Sequence, residues 1–151
     1  TDAASKAYSD LNISVYNCGA TTRDLTAATG TVNIAHGLAK TPKFVRMSYI
    51  KAQSNVNFAS AGYNTYGGEG TYNGTNYSNL YTGSDASSAS TTRYTSYQST
   101  SDIIVFTEGF GAVETKQVAT VSALSSTNIT LSWTKTGSPT GTLYIKWEAF
   151  A

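Results

Sequence analysis

The sequence predicts an all-β protein, a compact antiparallel β-sandwich of about six to eight strands with a long insertion rich in Tyr, Gly, Asn and Ser. Two observations carry this. Apolar residues recur with period two in several short runs, the signature of half-buried antiparallel strands. Gly, Pro, Asn and Ser separate those runs, and no helical periodicity of ordinary length follows the first dozen residues.

Residues 1–12 (TDAASKAYSDLN) are the one stretch that favours helix, with Ala3, Ala4, Ala7 and Leu11 on roughly one side. It is too short to stand alone as a helix and reads as the end of a stalk or a lead-in. The sandwich domain is expected over 13–151. Thr31–His36 places Val32 and Ile34 on one face, and Lys43–Lys51 alternates Val45, Met47 and Tyr49 with Phe44, Arg46, Ser48 and Ile50. Gly37 and Pro42 bound the loop between them.

After the insertion, strands are expected at Asp102–Thr107, Gln117–Leu124, Thr127–Thr134 and Gly141–Phe150. Ile129, Leu131 and Trp133 are spaced by two in the third of these. In the last, Leu143, Ile145, Trp147 and Ala149 point inward while Tyr144, Lys146 and Glu148 point outward. Thr136–Gly141 is a turn by composition.

Residues 60–101 form the insertion: 42 residues with seven of the chain's eleven tyrosines, six glycines, and Leu80 as the sole aliphatic side chain larger than alanine. So little apolar surface argues against a core built by this stretch alone. Tyrosine is a large, rigid, amphipathic contact group, and antibody loops draw on the same Tyr, Ser, Gly and Asn palette. Flat rings for sugar C–H groups and dense neutral hydrogen-bonding groups are what a glycan-binding surface requires. Tyr63, Tyr66, Tyr72, Tyr77 and Tyr81, interleaved with Asn64, Asn73, Asn76 and Asn79, supply both. Arg93, Tyr94 and Tyr97 add a second group, so the segment reads as a recognition surface.

Ten Lys and Arg against nine Asp and Glu leave the chain near neutral, without the clustered cations of a nucleic-acid partner. No apolar run approaches the ~18 residues that span a bilayer, so membrane insertion is not expected. The chain starts at Thr1 without Met and reads as a fragment of a longer protein. Cys18 is the single cysteine, which excludes an internal disulfide, and it is expected as a small, semi-buried hydrophobe. His36, the single histidine, reads as a strand-end residue with a turn hydrogen bond. The carboxylates are scattered, with Glu108, Glu114 and Glu148 near strand ends or exposed faces. They suggest no pair facing one another across a sugar, so the chain is expected not to be an enzyme. No cofactor or metal ion is expected.

Pro42-Lys43-Phe44-Val45 in the second strand, the Thr-rich run Val121–Trp133 and the closing Ile145-Lys146-Trp147-Glu148-Ala149 resemble the H-type lectin domain. The same outline is similar to the C-terminal domains of bacteriophage tail-fibre proteins. Asp2, Ala3, Lys6, Ala7, Tyr8 and Asp10 resemble the units repeated along such fibres. The likeness covers roughly 31–52, 102–151 and the first ten residues, and omits the Tyr-rich insertion. It implies a trimerising sandwich that binds glycans, at the tip of a phage fibre, extracellular and part of a virion.

The expected function is thus receptor binding: adsorption to a bacterial surface polysaccharide or other receptor by a homotrimer. The alternatives are a virion structural or decoration protein whose Tyr-rich loop makes subunit contacts, and a free secreted lectin. Tyr144 and Phe150, outward on the last strand, are the expected subunit contacts.

Overall fold

The computed structural model describes residues 15–51, 65–85, 93–108 and 115–151. The expected 1–12 stalk segment, Tyr63 and Asn64 lie outside them.

Ten strands form among these residues: β1 (Tyr16–Asp24), β2 (Gly30–Ala35), β3 (Phe44–Lys51), β4 (Thr65–Tyr72), β5 (Tyr77–Asp85), β6 (Arg93–Ser99), β7 (Ile104–Glu108), β8 (Thr115–Leu124), β9 (Asn128–Thr136) and β10 (Thr142–Phe150). They make two antiparallel sheets, six strands in the order β1-β10-β3-β4-β5-β6 and four in the order β2-β9-β8-β7. The all-β sandwich is as the sequence predicts, with more strands than the six to eight expected. The additional ones are β1 and the three that the Tyr-rich segment contributes.

Period-two patterning builds the core. Val45, Met47 and Tyr49 of β3, Leu143, Ile145, Trp147 and Ala149 of β10, and Ile129, Leu131 and Trp133 of β9 are all buried. Their alternates face outward, because successive side chains of a strand point to opposite sides of the sheet. β1 follows the same geometry with a polar sequence. Its inner side carries Asn17, Gly19, Thr21 and Arg23, so no hydrophobic alternation marks it. Cys18 therefore falls on the outer side and is exposed, not semi-buried as expected.

Two of those inward polar groups, Asn17 and Arg23, have hydrogen-bond partners. Arg23 Nε donates to Gln117 Oε1 at 2.9 Å and Nη2 to the Ala28 carbonyl at 2.7 Å, with the guanidinium 4.9 Å from the Trp133 ring centroid. Gln117, fully buried, donates through Nε2 to the carbonyls of Leu25 (2.6 Å) and Ala27 (2.9 Å). The arrangement ties the β1–β2 turn to β8.

On the opposite side, Ile103 and the β7 residues Ile104, Val105 and Phe106 are all buried. Although β7 ends the four-stranded sheet, its backbone is not left open. Val105 N–H donates to Tyr49 Oη (3.0 Å), Asn79 Nδ2 donates to the Ile103 carbonyl (2.8 Å), and Tyr81 Oη donates to the Thr107 carbonyl (2.6 Å). Side chains of the six-stranded sheet thus satisfy a strand edge that would otherwise be exposed to unwanted pairing.

Candidate functional site

The Tyr-rich segment folds as sheet because its large and small residues alternate in register. Across the β4–β5 pair, Tyr66 faces Gly83, Tyr81 faces Gly68, Asn79 faces Gly70, and Tyr72 faces Tyr77. Rings therefore lie over glycines and fill the inner face without overlap. Gly70 is required by β7: a Cβ there would sit 1.7 Å from the Ile103 carbonyl oxygen.

Two of the expected ligand contacts are corrected by this packing. Tyr66 (1% exposed) and Tyr81 (0%) are core residues, with no ring face open to a ligand. Tyr66 meets the Phe106 ring edge-on at 5.5 Å, and Lys51 Nζ lies 5.4 Å from its centroid. Tyr81 closes the β7 seam. The premise that this segment contributes little core fails because tyrosine rings supply the missing apolar surface.

Four expected residues converge at the tip of the β4–β5 hairpin. Asn73 and Asn76 are exposed there, while Tyr72 and Tyr77 are half-buried beneath them. The two rings stack at 4.4 Å between centroids with planes 26° apart. Tyr77 Oη donates to the Val121 carbonyl (2.9 Å), which anchors the hairpin to β8, and Tyr72 Oη donates to the Gly74 carbonyl (2.8 Å). Burial raises the Tyr77 phenol above its ordinary range.

Within the turn, Asn73 Oδ1 accepts the amides of Thr75 (3.1 Å) and Asn76 (2.7 Å), and Gly74 takes the left-handed conformation at φ 88°. An Asn side chain holding its own turn in this way is a strong local constraint. The result is a rigid, uncharged tip that presents amide and hydroxyl groups at Asn73, Thr75 and Asn76 over a paired aromatic base.

Arg93, Tyr94 and Tyr97 lie on β6, the outermost strand of the six-stranded sheet, in register with Asp85, Ser84 and Tyr81. They run along the β5–β6 ladder and share no turn with the hairpin tip.

His36 is buried, its Nδ1 accepting the Leu38 amide (3.2 Å) and its Nε2 donating to the Ser125 carbonyl (3.0 Å). Both ring nitrogens serve the loop, as expected for a strand-end histidine. Glu148 is paired with Arg46, which holds its carboxyl below the usual carboxylate range. Glu69 accepts the Ser48 hydroxyl at 3.2 Å. Among the described residues, no group of three or more His, Cys, Asp or Glu side chains converges as a metal site would require.

A shallow depression of about 690 Å³ lies on the outer face of the six-stranded sheet, lined by Ala20, Thr22, Ser48, Ile50, Tyr144 and Lys146 among others. Sequence reasoning passed over it, because it forms from four strands, β1, β3, β4 and β10, that are separated in the chain. The signal in the sequence was the run of outward apolar positions, Ile50 and Tyr144.

No protein-family model matches the chain, and no curated protein matches it. Among solved structures, it is similar to the tailspike protein gp49 of Acinetobacter baumannii bacteriophage Fri1, a capsular polysaccharide depolymerase. The two are 15% identical with a TM-score of 0.36, over 99% of this chain and 21% of that one, so this chain spans about a fifth of the tailspike's length. That neighbour is an enzyme, and the expectation of a non-enzymatic chain is corrected accordingly: the exclusion does not stand. At this TM-score the likeness carries no argument about the activity of this chain. The H-type lectin likeness is not shown by these comparisons.

Proposed function

We propose that this chain is a receptor-binding domain at the tip of a phage tail fibre, which meets a bacterial surface polysaccharide as a homotrimer. The observation that supports it is the β4–β5 hairpin tip. Exposed neutral amides and a hydroxyl are held there by a turn that Asn73 braces and by the Tyr72–Tyr77 stack. Pre-organised neutral groups of this kind match the hydroxyl-rich surface of a sugar at low ordering cost. In this reading the glycan contacts narrow to Tyr72, Asn73, Asn76 and Tyr77, and Arg93, Tyr94 and Tyr97, farther along the β5–β6 ladder, are not part of them.

Capture of purified capsular and other surface polysaccharides on a biosensor tests the reading, with wild-type protein beside Asn76→Ala and Thr75→Ala. Binding by the wild type that weakens at least tenfold in both variants supports it. Unchanged capture by both removes the hairpin from recognition, and no capture by the wild type removes the function.

A second reading, a virion structural or assembly part, draws on the burial of Tyr66 and Tyr81, which commits two tyrosines of the segment to architecture. A fibre lacking residues 72–77 that adsorbs normally to its host would select this second reading.

A further inference from the structure

Asn73 alone among the chain's ten asparagines precedes a glycine, and the pair sits in the exposed turn of the candidate site. Asparagine is a thermally labile residue, because the backbone nitrogen that follows it can attack its side-chain carbonyl carbon and close a five-membered ring. A side chain on the following residue crowds that approach. Glycine has none, and the space around Gly74 is open: a Cβ built there would meet nothing within 4 Å.

The turn adds its own contribution. Asn73 Oδ1 accepts from two backbone amides, those of Thr75 (3.1 Å) and Asn76 (2.7 Å). Only the oxygen of a side-chain amide can accept, so the pairing fixes the orientation of the group and curls it over the following peptide. The same two donors face the oxygen on which negative charge develops as a nitrogen adds to Cγ, the arrangement that stabilises an oxyanion. Gly74 N–H and Asn73 Nδ2 bond to no group among the described residues. Neither the attacking nitrogen nor the departing one is held back.

We infer that Asn73–Gly74 is a self-modification site, at which the hairpin tip passes from neutral to anionic without an enzyme. The Gly74 amide nitrogen gives its proton to hydroxide and bonds to Asn73 Cγ. The Cγ–Nδ2 bond then breaks, and Nδ2 takes a proton from solvent and departs as ammonia. Water opens the resulting succinimide. Attack at Cγ leaves an aspartyl residue, whereas attack at the main-chain carbonyl carbon leaves an isoaspartyl linkage, with the chain rerouted through Cβ and Cγ. Either product puts a carboxylate on a tip that carries no charged side chain from Tyr72 to Tyr77. The isoaspartyl form also lengthens the backbone by one carbon and turns the carbonyl that braces Thr75 and Asn76 into main chain. The tip then loses its neutrality and its pre-organisation, and adhesion declines as the protein ages. That last consequence rests on the function proposed above; the chemistry does not.

Peptide mapping by mass spectrometry on the full chain, held folded in mildly alkaline buffer, reads the chemistry. Asn73 should gain the mass of an amide-to-acid exchange before any other asparagine, in both aspartyl and isoaspartyl forms. It should convert at least as fast as in the same chain unfolded in urea. Gly74→Ala, whose methyl group crowds the attacking nitrogen, should slow conversion at least ~tenfold. An Asn73 that stays intact in the folded protein while the unfolded chain converts, or a first conversion at another asparagine, overturns the assignment. On the biosensor, capture of a polysaccharide bound by fresh protein should fall in proportion to the converted fraction, and Asn73→Asp should bind weakly without ageing. Full conversion with undiminished capture refutes the link to adhesion. Conversion at Asn73 in a protein that captures nothing when fresh upholds the modification and removes only the proposed function.

Discussion

Removal of one hydroxyl group tests whether the tyrosines of this segment and its partners act as structure. In Tyr49→Phe the ring stays in the core, but Val105 N–H loses its acceptor at 3.0 Å and Asn79 Oδ1 loses its donor at 3.2 Å. Both groups are buried, so water cannot replace the hydroxyl. An unsatisfied buried donor or acceptor costs ~1–3 kcal/mol. Two of them, less the desolvation of the hydroxyl itself, give a loss of about 3 kcal/mol. For a domain of this size that corresponds to a melting temperature lower by ~6–12 °C. Urea unfolding supplies the free energy, and amide hydrogen exchange supplies a local readout, because Val105 should lose protection before the β9–β10 amides do. Tyr144→Phe, at an exposed position, should stay within ~0.5 kcal/mol of wild type. If Tyr49→Phe matches the wild type in urea and Val105 exchanges at its original rate, the seam between β7 and the six-stranded sheet does not rest on this hydroxyl.

The same residue predicts an alkaline limit. Burial pushes the Tyr49 phenol up from its ordinary 10 to about 12, so its contribution is full below pH 10 and is lost as pH rises from 10 to 12. The loss amounts to about 3 kcal/mol, and Tyr49→Phe should flatten that part of the stability profile. Gly70→Ala forces a methyl against the Ile103 carbonyl and should destabilise by at least ~3 kcal/mol, read by chemical denaturation. Gln117→Leu takes one hydrogen-bond acceptor from the buried Arg23 guanidinium and should cost ~1.5–3 kcal/mol. The double variant Arg23→Met/Gln117→Leu should be more stable than Gln117→Leu alone, because it removes the uncompensated charge.

The strands at residues 30–51 and 104–150 were legible in the sequence because short runs of apolar residues, most of them spaced by two, lie between turn-forming Gly, Pro, Asn and Ser. β3, β9 and β10 needed no tertiary information to be assigned a face. His36 was legible for a similar reason, since a lone histidine beside a glycine at a strand end has loop groups within reach. β1 was illegible because its inward residues, Asn17, Gly19, Thr21 and Arg23, carry no hydrophobic period. They are tolerable there only because His36, Trp147, Gln117 and Trp133 are brought opposite them from distant parts of the chain.

The candidate site divides along the same line. Asn73, Gly74 and Asn76 announce a turn by residue type, and the structure forms one. Whether a given tyrosine is core or surface depended on its strand partner. Tyr66 and Tyr81 lie across from glycines and sink inward, whereas Tyr72 and Tyr77 lie across from each other and stack near the tip. Composition by itself determined a near-neutral, sheet-forming chain with Tyr, Gly and Asn concentrated in one stretch. Cross-strand register decided which rings fill the interior and which outward positions gather on one face, because register pairs residues that sequence separation keeps apart.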